Sequence, residues 1–200
     1  MKNCLLLIGF LIFSGKLLSQ EFKIPNIEFK NNTEDLNTYI NLLKIKDEQA
    51  LIIKIGSSSY WSKGLYSDFL VFENDGNVSF YECFFPLNTN KKQKIKKKRI
   101  RKSKRKFYWN FLSDSYKNNR FSIIKSMLNI TSKSNGDGTS SMISVSDGAN
   151  YSLKITQGNR YSAFSTYSPN TFIEKKFPGW KERKKLVELT KDIYDLTEKY

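Results

Sequence analysis

Through the middle of the chain short apolar runs are set between polar turns, and toward the C-terminus apolar residues recur with the period of a helix. The longest helical stripe is Leu186, Leu189, Ile193, Leu196 and Tyr200, widened by Val187 and Tyr194. It predicts a final helix opening at Pro178, a residue suited to a first helical turn. A shorter stripe, Leu36, Tyr39, Ile40 and Leu43, predicts a first helix over 33–46 with Thr33 as its N-cap. Between them, 51–55, 66–72 and 78–85 read as strands. The last two are joined at Asn74-Asp75-Gly76-Asn77, where Asp-Gly tolerates the positive φ of a hairpin turn, and the second is stopped by Pro86. Large apolar groups fall on both faces of that hairpin, Phe69, Val71, Tyr81 and Phe85 against Leu70, Phe72, Phe80 and Phe84. A pair covered on both sides is expected.

A short aromatic helix is expected over 107–116, with Phe107 and Phe111 on its core face, and 132–140 reads as a polar loop. Three further strands are predicted at 142–145, 151–156 and 161–167, turning on Asp147-Gly148 and on Gln157-Gly158-Asn159. The middle one sets Tyr151, Leu153 and Ile155 against Ser152, Lys154 and Thr156, the pattern of a sheet with one wet face. A helical turn over 171–177 precedes the final helix. The expected architecture is a single α+β domain with an antiparallel sheet of about six strands, helices packed on it, and a C-terminal amphipathic helix.

The first residues do not fit that domain. Lys2 is followed by an apolar run from Cys4 to Phe13 and then by Ser14-Gly15-Lys16-Leu17-Leu18-Ser19. A positive start, a short apolar stretch and small residues near the end are the parts of an export signal, so residues 1–19 are expected to be cleaved and the domain to occupy 20–200. The run meets Lys16 before reaching the roughly 20 residues a spanning helix needs. Secretion or residence in a periplasm is therefore expected, with no integral membrane segment after cleavage. Cys83 is then the one remaining cysteine, which leaves no intramolecular disulfide and makes it a small apolar strand residue.

Charge changes the picture at one place. The chain carries a formal +15, and residues 91–106 hold twelve cations and no acid: Lys91, Lys92, Lys94, Lys96, Lys97, Lys98, Arg99, Arg101, Lys102, Lys104, Arg105 and Lys106. Without these twelve, Lys2 and Lys16, the remainder nets only +1. The basicity is thus one cassette, expected as a solvated loop insertion over 88–106, because like charges repel and extend a segment. These twelve residues are the candidate anion-binding set, and the aromatics Phe107, Tyr108, Trp109 and Phe111 follow at once.

Histidine is absent, which removes Ser-His-Asp and Cys-His catalysis and every His-ligated zinc site. Ser122 and Lys125 share the spacing of Ser/Lys acyl-transfer enzymes, but Ser146-Asp147 runs into Gly148 and no Lys-Thr-Gly accompanies them. The acids Glu73, Asp75, Asp137 and Asp147 lie in or beside turns, whose chemistry accounts for Asp75 and Asp147, and none has calcium-loop spacing. Glu82, between Phe80 and Phe84, belongs either at a sheet edge or in a cavity. Tyr60, Trp61 and Tyr66 form a candidate aromatic platform. No catalytic residue, metal site or cofactor is expected. The first reading is an exported, non-catalytic binding protein whose partner, a protein or a polyanion, the residues do not name. The alternatives are a binder of nucleic acid, acidic polysaccharide or anionic membrane through the cassette, and a hydrolase working with carboxylates.

Overall fold

A computed structural model describes residues 22–29, 31–32, 36–59, 62–88 and 90–198. The expected export signal, Thr33, the aromatic pair Tyr60 and Trp61, and Tyr200 lie outside them. In chain order the elements are β1 (Asn31–Asn32), α1 (Leu36–Leu43), β2 (Leu51–Ser59), β3 (Gly64–Phe72), β4 (Val78–Pro86), β5 (Lys94–Arg99), α2 (Arg105–Lys117), β6 (Ser132–Ser134), β7 (Ser140–Met142), β8 (Ala149–Gln157), β9 (Arg160–Tyr167), α3 (Pro169–Glu174) and α4 (Trp180–Glu198). Short 3-10 turns lie at Lys102–Lys104 and Lys125–Met127. One antiparallel sheet runs β1-β9-β8-β2-β3-β4-β5, six strands of useful length plus the two-residue β1 at its margin. The fold is the α+β domain expected, with α4 as its C-terminal helix.

Membership of the sheet differs from expectation in one respect. Residues 140–142 pair with Ser132–Ser134 in a separate two-stranded ribbon, and the basic cassette supplies the sixth long strand instead. The stretch expected as the polar loop 132–140 therefore builds most of that ribbon, closed by Asn135 and Thr139.

Both faces of the sheet are covered, which is why its central strands are nearly continuous apolar runs. On one face Leu51, Ile53, Ile55, Leu70, Phe72, Phe80, Leu153 and Ile155 pack under α2 and α4, which contribute Tyr108, Trp109 and Leu112, and Leu186, Leu189 and Ile193. On the other, Ile52, Phe69, Val71, Tyr81 and Cys83 pack under α1 through Ile40 and Leu43. This second face is the one expected to be wet along β8. There Thr156 is buried, and the Lys154 ammonium lies 5.0 Å from the Tyr39 ring centre and 4.6 Å from that of Tyr161, so the polar residues are roofed by aromatics. Cys83 is a buried free thiol. Burial, with Asp68 nearby, pushes it up to about 11, as suits an inert packing residue.

Helix ends follow local chemistry. α1 stops because Lys44 turns left-handed at φ 53°, while its N–H and that of Ile45 donate back to the Asn41 and Ile40 carbonyls. α2 starts at Arg105, two residues before the expected start. Its buried side is Tyr108, Trp109, Leu112 and Ser115, while Phe107 is 51% exposed. The helix is rotated by one residue from the expected pose because the Trp109 indole has two aromatic neighbours and a carbonyl to meet. α4 starts at Trp180, after the Pro178-Gly179 corner. No described helix is long and apolar enough to cross a membrane.

Candidate functional site

Lysine is a poor strand former, and six residues reading Lys-Ile-Lys-Lys-Lys-Arg have no intrinsic reason to extend into a sheet. The neighbour supplies the reason. β4 offers an open row of backbone groups, and β5 pairs with it from Ser79↔Arg99 to Phe84↔Lys94. Lysine stems then lie along apolar side chains while their charges stay in water. The Lys97 ammonium sits 5.2 Å from the Tyr81 ring centre and that of Lys98 5.6 Å from Phe80. Glu82, opposite Lys96, is ion-paired to both Lys96 and Lys98. Buried Ile100 pins the far end. The expected solvated loop 88–106 is thus an ordered edge strand running into a helix. Its cations also keep the open edge from pairing with other sheets.

The twelve candidate residues are distributed along this edge. Lys91 and Lys92 precede β5. Lys94, Lys96 and Lys98 alternate with Ile95, Lys97 and Arg99 on its two faces. Arg101, Lys102 and Lys104 occupy the 3-10 turn and its approach, and Arg105 and Lys106 open α2. All of β5 is exposed. Lys94, Lys97, Arg99, Arg101, Lys102, Arg105 and Lys106 make no ion pair among the described residues. The arrangement at α2 opposes the helix field. A first turn is the positive end of the helix and normally carries acids, whereas here it has none and begins with two cations. An anion lying across this end would relieve both the repulsion and the field.

Two further charged places emerge that sequence patterning did not single out. Lys54 and Lys154 are direct partners across β2 and β8, and both ammonium groups lie within 6 Å of the Tyr39 ring centre. Burial, then Lys154, holds Lys54 below the usual lysine range. A 250 Å³ cavity alongside is lined by Lys54, Lys125, Lys154 and Ser152. On the opposite face Asp68 stands across from Glu82. Burial, then the Glu82 charge, raises the Asp68 carboxyl to about 6, with Lys98 pulling the other way. Glu82 thus lies one strand in from the sheet edge, which β5 forms, and reaches water through its pairs with Lys96 and Lys98, so it is not at the edge position expected for it. No described group of three or more His, Cys, Asp or Glu side chains is placed to hold a metal ion.

The Asp68 shift has a stability consequence. Its folded pKa lies above the unfolded value near 3.9, so the folded state holds the proton more tightly. The carboxyl's contribution is most favourable below about pH 4, is lost as pH rises through about 6, and stays unfavourable above that. Because Asp68 is partly exposed and screened, the effect expected is only about 1 kcal/mol. Asp68→Asn should be more stable than the parent at pH 7 by that amount and indistinguishable from it near pH 4, measured by urea unfolding at both values. A gap of equal size at the two pH values would rule out this titration.

Of the expected aromatic platform only Tyr66 is described; it is 60% exposed and packs its ring 4.8 Å from that of Phe84. Ser122 and Lys125 are both exposed, at the edge of the 3-10 turn. The Ser122 carbonyl accepts a bond from the Lys185 ammonium. No family model matches the chain, and no curated protein matches it.

Proposed function

We propose that the protein is a non-catalytic binding protein that holds an extended polyanion along the β5 edge and the start of α2. The observation that carries this reading is the mounting of the cassette. Six consecutive exposed residues, five of them cations, are fixed on a strand about 20 Å long. Glu82 is the acid paired with them. A flexible cationic loop loses entropy when it binds, whereas cations held in register on a sheet edge are already ordered. With an export signal at 1–19, the encounter takes place in the periplasm or outside the cell.

Affinity for a single-stranded oligonucleotide, used as a polyanion probe, should be steeply salt-dependent. With six to ten phosphate contacts it should fall by about 3 × 10²–2 × 10⁴ between 50 and 200 mM salt. Replacing Lys94, Lys96, Lys97, Lys98 and Arg99 together by glutamine should flatten the slope of log affinity against log salt by roughly 3.5, since each lost contact removes about 0.7 for a single strand. Fluorescence anisotropy across a salt series measures both slopes. An identical slope in the variant would refute the assignment.

A further inference from the structure

Where β5 ends, three of its neighbourhood's cations converge on one spot. A cavity of about 200 Å³ is lined by Lys97 and Arg99 from β5, Arg105 from the first turn of α2, Asn77, Val78 and Ser79 from the β3–β4 turn and β4, and Glu73. Arg99 is brought there by register, as the partner of buried Ser79. Arg105 arrives from the opposite side, after the chain has turned through Lys102–Lys104. Its Nε is buried and donates to nothing. A guanidinium nitrogen removed from water without an acceptor is costly, so an acceptor arriving there would be stabilised.

Glu73 is the one acid in the lining. Its backbone N–H is bound to the Asn77 carbonyl in the hairpin turn, and its carboxylate is in ion-pair distance of none of the three cations. Burial, then Asp75, makes that carboxyl harder to ionise than usual. The cavity is accordingly net cationic, and two of the residues lining it carry forked guanidinium groups. One such fork is filled by the two oxygens of a carboxylate or by two of a tetrahedral oxyanion, but only the tetrahedral ion has oxygens enough for two forks at once, whereas an ammonium acts as a point charge.

We infer that this notch, formed by Arg99, Arg105 and Lys97 against the β3–β4 turn, is a discrete site for one phosphate or sulfate group of the bound polyanion. It rests on the polyanion reading for its partner but has its own chemistry. The edge strand supplies non-selective attraction, and the notch selects chains bearing tetrahedral oxyanions over chains bearing carboxylates.

Inorganic phosphate and inorganic sulfate are the probes, titrated into the whole protein at constant ionic strength while the arginine Nε–Hε resonances are followed by NMR. Saturable shifts at Arg105 and Arg99 are expected, with Arg101 and Arg183 unmoved; a stronger response to one of the two ions names the preferred ester. Arg105→Lys keeps the charge and should weaken the response at least tenfold with an unchanged thermal midpoint. Non-saturating shifts, equal shifts at Arg101, or an Arg105→Lys variant that responds like the parent would overturn the site. A parallel comparison of dextran sulfate with polyglutamate separates the two readings. Failure of the parent to bind either polymer, with intact phosphate shifts, removes the edge-strand reading and leaves the notch. Equal binding of both polymers, unaltered by Arg105→Lys, removes the notch and leaves the edge strand.

Discussion

Gly179→Ala should lose roughly 3–5 kcal/mol of folding stability, as much as emptying a large aromatic site in the core. Gly179 has φ +80°, a conformation L side chains rarely adopt, and a Cβ built there would lie 1.8 Å from the Met127 carbonyl oxygen. No rotamer relieves a clash between two backbones, so either the 3-10 turn Lys125–Met127 or the start of α4 must move. Neither is free to do so. The Glu182 carboxylate accepts the Ile124 N–H at 2.9 Å, and the Lys185 ammonium donates to the Ser122 carbonyl at 3.0 Å. Arg183, 1% exposed, donates to the Pro178 carbonyl at 2.6 Å and the Ile130 carbonyl at 2.7 Å while its guanidinium stacks over Phe172. The first turns of α4 therefore hold the whole 122–130 segment through backbone groups, and displacing the corner strands several of them at once. Gly136 supplies the control: its φ is +83°, but a Cβ there meets nothing within 4 Å. Gly136→Ala should cost only the left-handed strain, about 1 kcal/mol. Urea unfolding of the two variants measures the difference; equal losses would mean that the contact with Met127 contributes nothing.

The centre of the sheet is legible in the sequence because its signals are local. Leu51-Ile52-Ile53 has no polar face to confuse the period, Asp75-Gly76 marks its own turn, and the Leu186–Leu189–Ile193 stripe states which side of α4 is buried. What is not legible depends on partners far along the chain. Charge repulsion within 91–106 argues for a loop, and only the exposed edge of β4, with Tyr81, Phe80 and Glu82 placed to receive lysine stems and charges, turns it into a strand. Arg183 sits in a run of Lys and Glu that reads as a wet helix face, yet it is buried, because the Pro178 and Ile130 carbonyls, from two segments of the chain, both accept from its guanidinium. Asp68 lies one residue before Phe69 and reads as a polar break in a strand; its shifted proton arises first from burial, which the sequence does not show, and then from Glu82 across the hairpin, a pairing that the turn at Asp75-Gly76 fixes and that can in principle be counted out from it. The notch has no such signal. Its residues come from three elements, and Arg105 is one of twelve look-alikes until the chain's path around Lys102–Lys104 is known.

Trp109 decides whether that path is held, and its replacement should affect stability and binding differently. The indole stacks on Phe22 at 5.4 Å, meets Phe72 edge-on at 5.1 Å, and donates from Nε1 to the Gly76 carbonyl at 3.1 Å. Trp109→Ala should cost about 3–5 kcal/mol through the cavity left in the core. Trp109→Phe keeps a ring there but leaves the buried Gly76 carbonyl unsatisfied, for about 1–3 kcal/mol. The hydrogen bond does more than stabilise. Trp109 is one helical turn beyond Arg105, and Gly76 directly precedes Asn77, so this bond fixes the two sides of the notch at their working separation. Trp109→Phe, folded at 25 °C, should therefore respond more weakly to inorganic phosphate at Arg105. The salt slope for an oligonucleotide, set by the cations of β5, should stay near that of the parent. Thermal melts, the phosphate titration and the salt series together test the claim. A Trp109→Phe protein that loses stability yet binds phosphate like the parent would show the indole to be a core residue only, with the notch held by the strand register alone.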